Sequence, residues 1–293
     1  MKKTLIVLAL LASFQVANAQ SNVNSAAKAV ESALAASQNE KKATKVATWM
    51  KLAQTYVDAY GAPAGNVWIG ADMNALQLSM GGEKPSSVET VTLNGAQYTK
   101  QIYENKNLYF NANGQLSVIE IVKPVVENAL PKALEAYKKA YELDEKHSKD
   151  KDISAGIKTI SEKLNQEAYN AYTLGDVKKA EEYFEAAYEA AAQKPYAQID
   201  TNSLYNAAFT SWSTENFSKA KTMFDKCLGY GYYGDGGEVF AKLSDCVSHI
   251  DTTAAGKAAA KEYLEQGFQK FPTSEGIVFG LINYYMTSGE GTD

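Results

Sequence analysis

The sequence predicts a mainly α-helical protein built from stacked helix pairs, with one small α+β unit inserted among them. Three observations support this fold class. A spacing of small and aromatic residues repeats along the second half of the chain, and residues 61–123 change to the alternating pattern of strands. The 293 residues are 45% hydrophobic and 22% charged, which is typical of a globular protein with a large core.

The repeat is clearest between Glu167 and Leu228. Steps of 4, 8, 4 and 3 residues separate Ala168, Tyr172, Ala180, Phe184 and Ala187. The same steps return 40 residues later at Ala208, Trp212, Ala220, Phe224 and Cys227. Gly175-Asp176 predicts a turn between two helices, because Gly often ends a helix and Asp caps the next one. One pair cannot bury its apolar face alone, so neighbouring pairs are expected to stack.

This pattern resembles the tetratricopeptide repeat family, whose motif places small and aromatic residues in this order around a central Gly. Gly175 takes the Gly position in the first unit, and Glu215 takes it in the second. The small residue that opens the second helix recurs at Ala133, Ala180, Ala220 and Ala260. The resemblance implies a right-handed α-solenoid that holds peptides or proteins in a concave groove lined by the first helices.

The beginning of the chain predicts a secretory signal peptide. Lys2-Lys3 precede an apolar run over Leu5–Ala12, and Ala17-Asn18-Ala19 supplies the small residues of a cleavage site. We therefore assign residues 1–19 to the signal peptide and expect an exported, periplasmic protein that is soluble after cleavage near Ala19. The apolar run is too short to span a membrane.

Residues 20–60 predict the first helices of the solenoid, over Ser25–Gln38 and Ala43–Tyr60. In the second of these, Trp49, Leu52 and Tyr56 recur at helical spacing. The partner of this helix is expected much further on, around Ala133, with Pro131 at its first position. Residues 61–123 are therefore an insert.

The insert predicts one short helix over Asp72–Met80, capped by Asp72, followed by a three- or four-stranded meander. The strands are expected at Val88–Leu93, Gln97–Tyr103, Leu108–Phe110 and Gln115–Val122, and Asn94-Gly95 and Asn113-Gly114 predict hairpin turns. The segment Gly70–Met80 followed by Leu108–Ile121 is similar to the small outer-membrane-assembly lipoprotein domain of the SmpA/OmlA type. Two interpretations remain open, a structural insert without a role of its own and an assembly factor that contacts partners through its strands.

Residues 124–293 predict the remaining repeats, of which the last is incomplete. The charge run over Glu145–Asp152 is expected to be a solvated linker before a long helix over Ile153–Leu174. Later helices are expected at Val239–Ile250, Ala258–Phe271 and Ser274–Thr287, with about four extra residues in the turn before the second of these. The last helix has no partner in the sequence, so this end is either truncated or pairs with another chain.

Composition argues against several function classes. All 29 basic residues are lysines and the net charge is −5, which disfavours nucleic acid as a partner. We find no nucleophile motif, phosphate loop or zinc spacing, and therefore expect no enzymatic activity, catalytic residue, cofactor or metal site. No membrane span is expected. Cys227 and Cys246 leave two interpretations open, an exported disulfide and a pair of small buried thiols.

Partner-binding residues are expected on the first helices. The family frame places there Asn165, Tyr169 and Tyr172, then Asn202, Tyr205, Phe209 and Trp212, and finally Leu281, Tyr284 and Tyr285. Such a groove suits an extended peptide, an apolar helix or a glycan stacked on rings. The family's clamp for C-terminal carboxylates is absent, because Asn and Tyr occupy its positions.

Two interpretations of these aromatics compete. Tyr172 and Trp212 are expected to pack mainly between helices, whereas Tyr205 and Phe209 are expected on a more exposed face that contacts a partner. The predicted function is a protein- or peptide-binding scaffold of the bacterial cell envelope. A glycan- or wall-binding module and an assembly factor acting through the insert are the alternatives. The partner's identity and the oligomeric state stay open.

Overall fold

The computed structural model describes residues 23–81 and 83–288, and the expected signal peptide lies outside them. The chain is mainly helical and carries one four-stranded antiparallel sheet. The helices are α1 (Val23–Gln38), α2 (Glu40–Ala43), α3 (Val46–Gly61), α4 (Met73–Ser79), α5 (Ala129–Leu143), α6 (Asp150–Thr173), α7 (Val177–Ala191), α8 (Thr201–Ser213), α9 (Phe217–Gly229), α10 (Glu238–Ile250), α11 (Ala254–Lys270) and α12 (Glu275–Ser288). None of the helices in the described ranges is long and apolar enough to cross a membrane.

From α5 onward the helices pack in sequence order, so that each helix lies against the next one along the chain. Ala168, Ala180 and Ala220 are fully buried at these contacts, where their small side chains allow close helix approach. Phe184 and Phe224 are also fully buried and fill the space between helix pairs. Although the insert separates α3 from α5 in sequence, these two helices pack directly on each other.

Two of the turns between paired helices contain a residue with a positive φ. Gly175, between α6 and α7, adopts a φ of +88°, and Glu215 adopts a φ of +63° at the equivalent place between α8 and α9. Left-handed backbone at this position closes the first helix and redirects the chain. Asp176 then accepts a hydrogen bond from the Lys179 backbone N–H at 3.1 Å, as the Gly-Asp pattern predicts.

Several element boundaries differ from the sequence-based expectation; α3, for example, begins at Val46 rather than Ala43, after the short helix α2. α6 begins at Asp150, so the last part of the expected linker is helical, because Asp150 and Asp152 favour the positive end of the helix dipole. α11 begins at Ala254, since Thr253 caps it, and the residues expected in the turn extend the helix instead. Pro131 is the third residue of α5 rather than the first. It still lies in the first turn of the helix, where backbone N–H groups have no acceptor within the helix.

The insert forms a small unit with a core of its own. Its strands β1 (Ser87–Leu93), β2 (Ala96–Ile102), β3 (Lys106–Phe110) and β4 (Leu116–Ile121) follow one another in the sheet, as a four-stranded meander. Leu76 of α4 packs with Leu108, Phe110 and Leu116 of the sheet. Asp72 caps α4 by accepting hydrogen bonds from the Asn74 and Ala75 backbone N–H groups.

The insert contacts the helical part through α6. Asn94, in the β1–β2 turn, donates hydrogen bonds to the carbonyls of Tyr172 and Thr173 at 3.1 and 3.2 Å. Asn170 of α6 donates in return to the Ile119 carbonyl of β4 at 3.1 Å. The Tyr172 carbonyl also accepts from the Gly175 N–H at 3.0 Å, whereas Asn94 supplies a donor to the Thr173 carbonyl, one of the last carbonyls of the helix, which have no partner within it.

Cys227 and Cys246 are free thiols, and both are buried. Burial raises the pKa of each thiol to about 12. The structure therefore agrees with the interpretation of Cys227 and Cys246 as small buried thiols and not with the disulfide. Neutral thiols in apolar surroundings behave as small hydrophobic side chains.

Candidate partner-binding face

Three aromatic side chains follow one face of α8. Tyr205, Phe209 and Trp212 lie at positions i, i+4 and i+7 of the helix. The ring centroids of Tyr205 and Phe209 are 6.3 Å apart, and those of Phe209 and Trp212 are 5.8 Å apart. All three side chains are half-buried. We call these three residues the aromatic row.

A matching set of charged side chains on α10 lies beside the aromatic row. The Tyr205 hydroxyl donates to Glu238 Oε1 at 2.6 Å, and Trp212 Nε1 donates to Asp245 Oδ2 at 2.6 Å. Between them, Lys242 Nζ lies 5.2 Å from the Phe209 ring centroid and 3.1 Å from that of Trp212. The charged row consists of Glu238, Lys242 and Asp245.

Tyr205 is enclosed on several sides. Its ring centroid lies 5.9 Å from that of Phe224 and 5.5 Å from that of Tyr232. Burial and the hydrogen bond to Glu238 raise the pKa of the Tyr205 hydroxyl far above its ordinary value. Tyr205 and Trp212 are both half-buried, and both donate a hydrogen bond to a carboxylate of α10.

The predicted site residues of α6 join this helix to α8. Asn165 Nδ2 donates to the Ser203 hydroxyl at 2.6 Å, and the Tyr169 hydroxyl accepts from Asn206 Nδ2 at 3.1 Å. Asn165 Oδ1 is buried and has no hydrogen-bond partner in the described part of the chain. Tyr172 is half-buried, and burial raises the pKa of its hydroxyl.

The remaining predicted residues lie outside this set of contacts. Asn202, at the start of α8, is exposed. Tyr284 of α12 belongs to another cluster, in which Lys261 Nζ of α11 lies 5.2 Å from the Tyr284 ring centroid and 5.0 Å from that of Tyr285. Leu281 packs in the neighbouring apolar cluster. The structure thus brings together Tyr205, Phe209 and Trp212 of α8 and joins α8 to Asn165 and Tyr169 of α6, whereas Asn202 and Tyr284 lie apart from them.

Sequence reasoning missed the charged row, although a signal for it exists. Glu238, Lys242 and Asp245 repeat the i, i+4, i+7 spacing of the aromatic row, and each lies 33 residues after its partner. It also missed a polar cluster between α3 and α6, where the Tyr60 hydroxyl donates to Glu167 Oε1 and Lys163 Nζ lies 5.3 Å from the Tyr60 ring centroid. Burial raises the pKa of Tyr60 and of Glu167, and it lowers that of Lys163.

The chemistry available on this face is recognition by rings, amides and charges. In residues 23–81 and 83–288, no three His, Cys, Asp or Glu side chains lie close enough to hold a metal ion. A cavity of about 460 Å³ lies elsewhere, between α1, α3 and α5, and is lined mainly by apolar side chains including Leu34, Trp49 and Tyr56.

No protein-family model matches the chain, and no curated protein matches it.

Proposed function

We propose that the chain is a non-enzymatic scaffold of the tetratricopeptide type, a right-handed α-solenoid with an inserted α+β unit. The repeated residue spacing, the packing of helices in chain order and the left-handed turns at Gly175 and Glu215 support this proposal. The signal-peptide pattern in residues 1–19 supports a place in the bacterial cell envelope.

The partner is an extended peptide or protein segment that lies along the first helices. The observation that carries this proposal is the aromatic row with the charged row beside it. Half-buried rings offer apolar surface to side chains, while carboxylates and an ammonium group offer hydrogen bonds to backbone N–H and C=O groups. Asn165, Tyr169 and Asn202 continue this mixed surface onto α6 and the start of α8.

A glycan is less well suited to the same place. A sugar ring stacks on the open face of an aromatic ring, and the Lys242 ammonium lies 3.1 Å from the Trp212 centroid, which occupies one face of that ring. A peptide does not need that face, because it can contact ring edges and the charged row together. The contact favours a peptide over a glycan at Trp212.

Substitution of Phe209 is the most specific test of peptide binding, because its side chain makes no hydrogen bond that the substitution would remove. A phage-displayed library of linear peptides is selected on the chain, and the affinity of the selected peptides is then measured for two variants. Phe209→Ala should weaken binding about tenfold or more, as expected for an aromatic anchor. Phe268→Ala is the matched control, because Phe268 is an exposed Phe on α11, in the other set of helices. It should leave binding unchanged.

The result has two clear contrary outcomes. Equal losses for Phe209→Ala and Phe268→Ala would place the binding surface elsewhere. Binding of soluble peptidoglycan fragments, lost on Phe209→Ala in the absence of any selected peptide, would favour the glycan alternative. Melting curves of both variants exclude unfolding as the cause of a loss.

A further inference from the structure

The two edge strands of the insert's sheet differ in how much the rest of the chain contacts them. Along β4, the Leu116 backbone N–H donates to the Ala71 carbonyl at 2.8 Å, and the Gly70 N–H donates to the Leu116 carbonyl at 2.7 Å. Asn170 of α6 covers the Ile119 carbonyl further along the same strand. β1 forms the opposite edge, and in the described ranges its only strand partner is β2.

Alternate residues of β1 direct their backbone groups away from the sheet. Asn94 and Gly95, with φ of +49° and +80°, form a two-residue hairpin turn, so Leu93 and Ala96 form the hydrogen-bonded pair that closes it. Counting back in twos, the N–H and C=O groups of Val88, Thr90 and Thr92 point outward. Within the described residues, no backbone or side-chain group outside the strand hydrogen-bonds to them.

This edge lacks the features that usually prevent strand pairing. β1 has seven residues, contains no proline and pairs with β2 without a bulge. Its first four residues are exposed, and Val88 retains 58% of its accessible surface. Glu89 is its one charged residue. A regular, exposed strand of β-branched residues is a template for another strand.

We infer that β1 pairs antiparallel with β1 of a second copy of this chain, about a two-fold axis at Thr90. In this register Thr90 faces Thr90 of the second copy, and Val88 faces Thr92 in both directions, so all the outward backbone groups are paired. Glu89 faces Val91 rather than the other Glu89, which avoids a direct contact of like charges. Lys100 of β2 lies opposite Glu89 within each sheet and offsets its charge.

The covered β4 edge decides what this pairing produces. Within the described residues, β4 is contacted at Leu116 and Ile119 whereas the outer edge of β1 has no partner, so the contact uses the same surface on both copies and closes on itself. The product is a dimer with a continuous eight-stranded sheet rather than a growing fibre. A second copy suits this edge because the strand is complementary to itself in the Thr90 register. The inference rests on the insert alone and does not depend on the proposed peptide role.

Charge at the two-fold axis gives a specific test by sedimentation velocity. Two short strands bury less than the roughly 1,000 Å² of a stable interface, so we expect the copies to associate weakly. The sedimentation coefficient of the chain is therefore compared at protein concentrations from about 5 to about 500 µM. We expect the unsubstituted chain to dimerise with rising concentration. Thr90→Lys, which places one lysine of each copy face to face across the axis, should stay monomeric, and Thr90→Val, which retains the strand propensity, should dimerise.

Mixing variants separates a lost contact from a lost fold. Thr90→Lys and Thr90→Glu should each be monomeric alone and should form a dimer when mixed in equal amounts. Hydrogen exchange on the unsubstituted chain provides a second measurement. The amides of Val88, Thr90 and Thr92 should slow at high concentration, whereas those of Glu89 and Val91, which face β2, should not change.

Three outcomes would overturn the inference. They are an unsubstituted chain that is monomeric at the highest concentration, a dimer that Thr90→Lys leaves intact, and a variant mixture that stays monomeric although both proteins are folded.

Discussion

Gly156 allows α6 to pass close to α5. A Cβ atom at this position would collide with the ring of Tyr137, which is buried at 4% exposure. Neither helix can move freely, because Tyr137 packs in the core formed by α3, α5 and α6. At the scale of single residues, this contact is one place where the fold has no room for a methyl group.

Gly156→Ala should therefore destabilise the protein by about 1–3 kcal/mol, as overpacking does, even though Ala favours helix by roughly 1 kcal/mol over Gly. Gly229→Ala is the matched control, since a Cβ there has no neighbour within 4 Å. It should be neutral or slightly stabilising. Urea denaturation of both variants measures the two free energies of unfolding. Similar changes in the two would contradict the close approach of α5 and α6.

Elements of the insert were largely predictable from the sequence, whereas its attachment was not. Asn94-Gly95 predicts the β1–β2 hairpin because its backbone preference is local. Its contact with the carbonyls of Tyr172 and Thr173 depends on how α6 lies in space, and no local pattern encodes it. The expected start of α11 at Ala258 is wrong for a local reason, because the Thr253 side chain caps the helix and allows it to begin at Ala254.

Replacing residues 62–123 with a short Gly/Ser turn should leave the helical part folded. α3 and α5 pack directly on each other, and the insert has its own core. The loss should be about 1–3 kcal/mol, the sum of the few hydrogen bonds that Asn94 and Asn170 make across the boundary. Thermal unfolding followed by circular dichroism measures the change.

Asn94→Gly is the control for this replacement, because Gly keeps the positive φ of the turn and removes only the side-chain bonds. It should reproduce part of the loss and speed hydrogen exchange at the end of α6. Global unfolding of the shortened chain would mean that the insert belongs to the main core.

Over the whole molecule, side-chain hydrogen bonds connect helices that are not neighbours in sequence. Tyr60 and Glu167 connect α3 to α6, and Asn165 and Ser203 connect α6 to α8. The repeat spacing predicted the helices and their stacking order. It could not predict these pairs, because the separation changes from 37–38 residues between α6 and α8 to 33 between α8 and α10.

The contact of α3 with α6 should make the stability of the whole stack depend on pH. Burial raises the pKa of Glu167 above its unfolded value, despite the Tyr60 hydrogen bond and nearby Lys163 and Lys179. The folded state then holds this proton more tightly. The contribution of Glu167 is therefore most favourable below its unfolded pKa and declines as pH rises through the folded pKa.

Glu167→Gln keeps an oxygen that can accept from Tyr60 and removes the charge. It should melt at a higher temperature than the unsubstituted chain near neutral pH, and the difference should disappear as the pH falls below the unfolded pKa of about 4.3, where the carboxyl becomes protonated in both states. Glu182→Gln, at an exposed position on α7, is the control and should show neither effect. A constant difference between Glu167→Gln and the parent from acid to neutral pH would rule out the buried carboxylate as its cause.

The paired rows on α8 and α10 also limit how this protein can be rearranged in evolution or by design. Tyr205, Phe209 and Trp212 each have their counterpart 33 residues later, while α6 meets α8 through amides and hydroxyls. Moving the α8–α9 unit to another place in the stack would separate its rings from the carboxylates and the lysine that they contact. The units are therefore ordered parts rather than interchangeable modules, and related sequences should change positions 205 and 238, or 212 and 245, together.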